Sequence, residues 1–227
     1  TVVADNLTTV SLVFIPNQIE KNKIEEIATN ISEILNCDKS VILEHLNKKS
    51  SIERVHPEGR RLSYDQADKI DAYHYKGVYL VKESKRVYPF NKLLCHTLGY
   101  VGIDNQGLSG LELQYDESLT GAYGSIQYYS DAKGNNLSLK ENYVEPTNGM
   151  NIELTVNYDI QSSVERELDN AMEKYNADGA WAIAMDPNSG EILAMASRPG
   201  FDPNNYQDYT EEEINRNLAI WASYEPG

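Results

Sequence analysis

Cysteine and histidine are scarce in this sequence of 227 residues, and neither is arranged as in a metal or redox site. The two cysteines, Cys37 and Cys95, lie far apart and form no C-x-x-C pattern, which argues against a zinc or redox motif. One disulfide between them stays open, but two free, partly buried thiols are the preferred interpretation. The histidines lack metal-ligand spacing and predict structural roles: His45, His56, His74 and His96. We therefore expect no metal and no cofactor.

Long apolar runs and excess positive charge are also absent from the sequence. The longest apolar run, Val10 to Ile15, is only as long as a strand and contains Ser11, so no signal peptide or transmembrane span is indicated. With 20 Lys and Arg against 35 Asp and Glu, the formal net charge is −15 at pH 7. Because a phosphate backbone requires a basic face, we expect no nucleic acid partner.

Several catalytic signatures are missing as well. The sequence has no phosphate-binding loop, no Rossmann fingerprint and no G-x-S-x-G nucleophile elbow. Asp131 to Asn135 resembles a calcium loop, but Lys133 stands at its third position and Asn142 at its twelfth, so a hairpin turn is predicted instead. The run Glu211 to Glu213 follows Thr210 and indicates a helix start rather than a catalytic carboxylate pair.

The first part of the sequence has the pattern of a small α+β module that ends near residue 90. β-Branched residues predict strands over 7–15 and 78–88. Helix-like spacing and capping residues predict three helices between them: Ile19 to Asn36 with buried isoleucines, a short helix with Ser40 as its N-cap, and a helix from the capping box Ser63–Gln66 to about Tyr75.

The second part begins with six glycines between residues 99 and 124, which predict turns and close backbone approaches. The polar piece from Glu141 to Gly149 is the candidate interdomain linker. The remaining predicted elements are helical turns at Leu111–Leu119, strands at Ile126–Ser130, Leu137–Leu139 and Asn151–Val156, a long helix to Tyr175 capped by Asn157, strands at Trp181–Met185 and Ile192–Ala196 joined by Asp186–Gly190, and a helix at Glu211–Leu218.

Five blocks of the sequence follow one another in a characteristic order. They are Arg86-Val87-Tyr88-Pro89-Phe90 with His96–Gly102; Gly107–Glu112 with Tyr115-Asp116, Leu119, Gly121 and Gly124; Pro146–Gly149 with Leu154-Thr155 and Asp159–Gln161; Ala184–Pro187 with Gly190–Asn204; and Tyr224–Gly227. Together they resemble class B penicillin-binding proteins, the monofunctional transpeptidases that crosslink peptidoglycan. The resemblance is close from residue 86 onward. Before that it rests only on the position of the opening module and its general residue pattern.

The resemblance implies an α+β fold, with a pedestal or dimerisation domain over residues 1–145 and the start of an α/β serine transpeptidase domain over residues 146–227. Arg86 and Glu112 are candidates for a buried ion pair, with two unrelated surface charges as the alternative. Asn91 departs from the family pattern, which often has glycine there. The block residues are expected to be structural: Arg86, Tyr88, Pro89, Gly99, Gly107, Gly110, Glu112, Gly121 and Gly124.

In the family, the serine of an S-x-x-K motif attacks the penultimate D-Ala carbonyl of a stem peptide, and S-x-N and K-[ST]-G motifs complete the site. No Ser-x-x-Lys of this chain is followed by an apolar helix, and the resemblance places the nucleophile just beyond Gly227. We therefore expect no catalytic residue in the chain and no covalent binding of penicillin. Its expected role is scaffolding and partner docking.

The resemblance also implies a setting for the complete protein. It would act on peptidoglycan stem peptides, bind β-lactams, and dock to a membrane glycan polymerase or to a division or sporulation partner. It would lie at the extracytoplasmic face of the bacterial plasma membrane, on a single N-terminal anchor. Division or sporulation enzymes of Gram-positive bacteria fit better than elongation enzymes.

Two alternative hypotheses remain at this point. One is a stand-alone extracytoplasmic interaction module without a catalytic continuation. The other is a β-lactam sensor or β-lactamase relative, which is disfavoured because such proteins usually lack the blocks at residues 86–124. For a transpeptidase fragment, the strand pair at residues 181–196 is apolar on both faces and should show unmet burial, with self-association as a consequence.

Overall fold

The computed structural model describes residues 1–122, 124–130 and 136–223, and these form two compact units. One unit is Asp5–Val87, and the other joins Thr1–Ala4 to the chain from Tyr88 onward. The predicted turn at Asp131–Asn135 and the last block, Tyr224–Gly227, lie outside the described residues. Both units combine helices with strands, so the predicted α+β class is confirmed.

The unit Asp5–Val87 is a three-stranded antiparallel sheet with three helices. The central strand β1 pairs along its whole length with β3, with Val10 opposite Lys82, and pairs with β2 only at its end. Its elements are β1 Asp5–Phe14, α1 Ile24–Leu35, α2 Lys39–Asn47, β2 Glu53–Arg54, α3 Tyr64–Asp71 and β3 Val78–Val87.

One apolar core holds this unit together. Ile27 and Ile31 of α1 are fully buried against Leu12 and Phe14 of β1 and Ile42 of α2. These side chains lie on one face of each helix, as the spacing of three and four residues predicts. Burying each of them contributes about 1.5–3 kcal/mol, so this core is the main source of stability in the unit.

The helix ends differ from the predictions in three places. Helix α1 begins at Ile24 rather than Ile19, because short 3-10 turns at Pro16–Gln18 and Lys21–Lys23 precede it. Ser40 lies inside α2, and Asp38 occupies the N-cap position in extended conformation, so the Ser40 cap was wrong. The capping box of Ser63 with Gln66 is present as predicted. Helix α3 nevertheless ends at Asp71 rather than near Tyr75, because the chain turns through a left-handed residue, His74.

The unit from Tyr88 onward contains many short elements around one long helix. Two antiparallel strand pairs, β4 with β5 and β6 with β7, are its sheets in the described part. Its elements are α4 Cys95–Leu98, α5 Gly110–Gln114, α6 Asp116–Leu119, β4 Ser125–Ser130, β5 Asn136–Val144, α7 Tyr158–Tyr175, β6 Ala180–Met185, β7 Ile192–Arg198, α8 Glu211–Asn215 and α9 Leu218–Trp221.

Three predictions for this unit differ from the structure. The first four residues of the polar piece Glu141–Gly149 belong to β5 and are not a structureless segment, while its role as a linker stays a prediction. Asn151–Val156 is not assigned to a strand, although Leu154 and Val156 pack on the core around Tyr88. The predicted single helix from Glu211 is two short ones, because Arg216 leaves the helical conformation.

Helix α7 packs on β7 and β6, and its buried face is partly polar. The cap is as predicted, since the Asn157 side chain accepts hydrogen bonds from the amides of Asp159 and Ile160. Leu168 is buried, whereas Tyr175 at the end of the predicted apolar face is 68% exposed. The other two buried residues of the helix are Gln161 and Glu165.

The strand pair β6–β7 is buried unevenly. Ala194 and Ala196 of β7 are buried, but Ile183 and Met185 of β6 are about half exposed. This exposure is the unmet burial expected for the pair. Among the described residues, no helix combines the length and apolarity needed to cross a membrane.

Candidate functional site

The candidate functional site lies in the unit from Tyr88 onward. There the segment after β3, residues 88–100, meets α7 and the chain around β7, residues 195–206, and this meeting place is called the joint. Asn204 pairs with the Tyr88 backbone as a neighbouring strand would: its Oδ1 accepts from the Tyr88 amide and its Nδ2 donates to the Tyr88 carbonyl, both at 2.9 Å. Asp202 holds Asn204 in place by accepting from its Nδ2 and its amide. A side chain therefore substitutes for sheet pairing at this point.

An aromatic cluster fixes the same two segments together. Phe201 is fully buried, with the rings of His96 and Tyr100 edge-on to it at 5.2 and 5.9 Å. Tyr100 also stacks on Tyr206 at 4.4 Å and donates to Asn215 Oδ1. Edge-to-face and stacked pairs contribute about 0.5–1.5 kcal/mol each beyond the area that they bury. The cluster gives the joint an apolar centre.

Gln161 of α7 attaches the helix to β7. Its side chain is fully buried, its Oε1 accepts from the Met195 amide at 2.9 Å, and its Nε2 donates to the Met195 carbonyl at 3.0 Å. Without this side chain, the Met195 amide would lose its described partner in a partly buried place, which costs about 1 kcal/mol or more. Burial therefore favours an amide at this position over an apolar residue.

Glu165 lies one turn further along α7 and is the centre of the joint. Its Oε1 accepts from the Leu94 amide at 2.8 Å and from Gln161 Nε2 at 2.7 Å. Its Oε2 accepts from Arg198 Nη2 at 3.2 Å. The carboxylate and the guanidinium are about 90% buried, so each charge depends on the other for compensation.

Arg198 is shared between two carboxylates of α7. Its Nε and Nη2 donate to Asp169 at 2.5 and 3.0 Å, in the bidentate geometry that suits a guanidinium. The hydrogen bond to Asp169 raises the pKa of Arg198, and the same bond lowers the pKa of Asp169. Asp169 is mostly exposed, which leaves Glu165 as the buried partner.

Cys95 and His96 lie beside this centre in neutral forms. Burial raises the pKa of the Cys95 thiol to about 11 and lowers the pKa of His96. His96 Nε2 donates to the Glu213 carbonyl, because a carbonyl can only accept, so Nδ1 faces Cys95 Sγ at 3.4 Å as an acceptor. Both cysteines are free, as predicted, and this pair is not an activated thiolate–imidazolium couple.

The glycines of the predicted motif lie where backbones nearly touch. A Cβ on Gly99 would come within 1.9 Å of the Ser109 carbonyl oxygen, and one on Gly110 within 2.6 Å of the Gly99 nitrogen. Both have positive φ, so any side chain would be strained as well as obstructed. Added Cβ atoms at the other glycines would also collide with neighbours, at 2.1 Å for Gly107, 2.0 Å for Gly121 and 2.7 Å for Gly124.

The other predicted motif residues are distributed over both units. Tyr88 is buried at the joint, and Pro89 follows it. Arg86 lies near the end of β3 in the first unit and Glu112 lies buried in α5 of the second, so their ion pair stays a prediction. Asn91 has a φ of 50°, which explains why glycine often stands there in the family, since Asn also tolerates the left-handed region.

The residues that carry the joint were not identified as a site from the sequence. Gln161, Arg198 and Asn204 lie inside quoted blocks, but Glu165 lies outside them. One signal was available: Gln161 and Glu165 are four residues apart beside the apolar positions Ile160, Val164 and Leu168, so they belong near the buried face of α7.

The described residues offer no metal centre, since no group of three His, Cys, Asp or Glu among them could hold a metal ion. The letters Ser-x-x-Lys occur at Ser130 to Lys133. Ser130 ends strand β4 rather than beginning a helix, and the three residues after it lie outside the described part. The joint is built from paired charges and neutral groups.

Comparisons with known proteins agree with this architecture. The penicillin-binding protein dimerisation domain matches residues 1–154, and the penicillin-binding protein transpeptidase domain matches residues 180–227. Stage V sporulation protein D of Bacillus subtilis is 44% identical over 99% of the chain and 34% of its own length. Peptidoglycan D,D-transpeptidase FtsI of Escherichia coli K12 is 34% identical over 74% of the chain and 28% of its own length. The chain thus spans about a third of these relatives.

Two solved structures have the same fold. Penicillin-binding protein 2X from Streptococcus thermophilus superposes with a TM-score of 0.65 at 23% identity, over 90% of the chain and 34% of that protein. Penicillin-binding protein 2 from Helicobacter pylori, solved in complex with MreC, superposes with a TM-score of 0.67 at 24% identity, over 91% of the chain and 41% of that protein. Because the dimerisation-domain match alone covers more than half of the residues, the chain belongs to the penicillin-binding protein family, and the resemblance read from its sequence blocks is confirmed.

Proposed function

We propose that this chain is the pedestal and the first part of the transpeptidase domain of a peptidoglycan D,D-transpeptidase, and that it positions the catalytic part. The contact between Glu165 and the Leu94 amide carries the proposal. Leu94 lies in the segment that matches the dimerisation domain, and Arg198, the buried partner of Glu165, lies in the segment that matches the transpeptidase domain. The two family segments therefore share one buried polar centre.

The joint is suited to this task because its parts are rigid. Helix α7, the strand pair β6–β7 and the segment after β3 are held by buried hydrogen bonds that tolerate little displacement. An active site requires positioning to within about 0.5 Å, which rigid elements provide better than loops. The proposed boundary between the pedestal and the transpeptidase domain stays between residues 145 and 146. The glycines of the motif, together with Arg86 and Glu112, are proposed to shape the pedestal.

The proposed substrates, partners and location belong to the complete protein. It would take peptidoglycan stem peptides as substrate, bind β-lactams covalently, and work at the extracytoplasmic face of the plasma membrane on an N-terminal anchor. The solved complex of a related penicillin-binding protein with MreC supports the proposal of a protein partner. The higher identity to a stage V sporulation protein than to the peptidoglycan D,D-transpeptidase FtsI favours a sporulation role.

Labelling with a fluorescent penicillin tests the proposal. The complete gene product should be labelled at one serine, whereas the 227-residue chain should not be labelled. A Ser130→Ala variant of the complete product should label like the parent, since Ser130 ends a strand. Labelling of the chain itself would contradict the proposed division of roles. A complete product that takes no label would favour the stand-alone interaction module.

A further inference from the structure

A polar groove lies on the unit Asp5–Val87. It has a volume of about 450 Å³, within the usual range for ligand-binding clefts. Its apolar part comes from Ile19 and Leu46, which are buried, and Ile24, which is half buried. Lys21, Lys48 and Lys49 add three ammonium groups around these side chains.

The charge of this groove is opposite to that of the chain. Its lining includes three lysines and no carboxylate, whereas the chain carries a formal charge of −15. Lys48 donates to Glu53 at 2.6 Å, so its charge is partly compensated. Lys21 and Lys49 are exposed and form no ion pair with a described residue. The groove therefore offers two ammonium groups beside an apolar floor.

Helix stabilisation accounts for part of this arrangement only. Lysines after the last residue of a helix interact favourably with its carbonyl end, and Lys48 and Lys49 follow Asn47, the end of α2. Lys21 comes from a different element, a short 3-10 turn before α1. Its presence in the lining of the same groove has no such explanation.

We infer that the groove binds an acidic peptide segment of a partner protein, with an apolar side chain against the half-buried Ile24, beside the buried Ile19 and Leu46, and with carboxylates on Lys21 and Lys49. The net charge of the chain repels anions at long range, so two lysines alone would hold a small anion weakly. A ligand that also buries apolar surface gains about 25 cal/mol per Å², which favours a peptide over a free anion. This inference rests on the proposed docking role and gives it a surface and a ligand class.

The test uses the 227-residue chain with its isoleucine methyl groups labelled for NMR. The probe is an acetylated octapeptide of alternating glutamate and leucine. We expect the methyl signals of Ile19 and Ile24 to shift, while those of the exposed Ile183 and Ile220 stay in place. A peptide of alternating glutamate and serine, and inorganic phosphate alone, should leave all four signals unchanged.

Charge reversal at the two lysines tests the electrostatic part of the inference, and charge reversal at two lysines elsewhere is the matched control. Lys21→Glu with Lys49→Glu should weaken peptide binding at least about tenfold, as expected when two charge-assisted contacts are lost. Lys82→Glu with Lys174→Glu makes the same change in net charge at exposed positions outside the groove and should change binding less than about twofold. Three results would overturn the inference: no shift at Ile19 and Ile24 up to about 1 mM peptide, equal weakening by both double variants, or equal binding of phosphate. Penicillin labelling of the complete gene product does not depend on this groove, so failure here leaves the transpeptidase proposal standing.

Discussion

The carboxylate of Glu165 accepts a hydrogen bond from the backbone amide of Leu94, at 2.8 Å and across 71 residues of sequence. Leu94 has a φ of 60°, in the left-handed region that few leucines adopt. The surrounding structure must therefore hold this residue in place, and the buried acceptor on α7 is one of the contacts that does so. This single bond ties the segment after β3, which matches the dimerisation domain, to helix α7.

Substitution of Glu165 tests how much its buried contacts contribute to the stability of the fold. Glu165→Gln keeps the size of the side chain but leaves Asp169 as the one described carboxylate that the buried Arg198 guanidinium still contacts. We therefore expect a loss of about 2–4 kcal/mol in the free energy of unfolding. Urea denaturation followed by tryptophan fluorescence measures this free energy directly, since both tryptophans, Trp181 and Trp221, lie in the same unit as Glu165.

The control for that experiment lies two residues along the same helix. Glu167→Gln changes an exposed carboxylate and should stay within about 0.5 kcal/mol of the parent. Equal effects of the two substitutions would mean that the joint contributes nothing specific to stability.

Burial of His96 predicts a dependence of stability on pH. Its pKa is lowered in the folded chain, so the unfolded chain takes up a proton first as the pH falls. The stability that neutral His96 contributes is fully present above the unfolded pKa of about 6.5. It is lost as the pH falls from there towards the lowered folded pKa, and the free energy of unfolding then decreases by up to about 1.4 kcal/mol per pH unit. His96→Gln keeps a donor for the Glu213 carbonyl and should flatten the curve between about pH 7 and pH 5.

Asp169 should act in a separate, more acidic window. Its pKa is lowered by Arg198, so the stability that it contributes is present above its unfolded pKa of about 3.9 and is lost below it, as the pH falls through the folded value. Asp169→Asn should therefore change the acid limb of the stability curve and leave the slope near neutral pH unaltered. A change in the neutral slope would contradict the assignment of that slope to His96.

The two thiols should differ in reactivity. Cys95 is buried with a pKa of about 11, and Cys37 is half buried with a pKa that burial also raises. With a thiol-specific chromogenic disulfide at about pH 8, we expect slow reaction of Cys37 and almost none of Cys95 in the folded chain. Both should react at once in denaturant, and Cys37→Ala should then leave a single thiol. Rapid reaction of Cys95 in the folded chain would show that the joint opens.

The left-handed backbone at Asn91 predicts that this position tolerates glycine better than a β-branched residue. Asn91→Gly should be neutral to within about 0.5 kcal/mol, whereas Asn91→Val should cost about 1–2 kcal/mol, because a β-branched residue fits poorly at a φ of 50°. Asn170, exposed in the middle of α7, should show the reverse order, since glycine is the poorer helix former there. Thermal unfolding of the four variants provides the measurement.

The sequence by itself determined the local elements and the family. Isoleucine spacing set α1, Asn157 set the start of α7, and the capping boxes at Ser63 and Thr210 are present. Residues three and four apart meet on a helix whatever the rest of the chain does, so these signals can be read locally. The ordered blocks indicated the family in the same way, since they depend only on spacing along the chain.

Only the tertiary structure decided the joint and the irregular segments. Nothing near Leu94 in the sequence points to Glu165, and Asn204 pairs with Tyr88 across 116 residues. The stretch from Asn151 to Val156 has the composition of a strand but is assigned to none, because a strand is defined by its hydrogen-bonding partners. Long-range pairing depends on how separate elements pack, and no local periodicity encodes that.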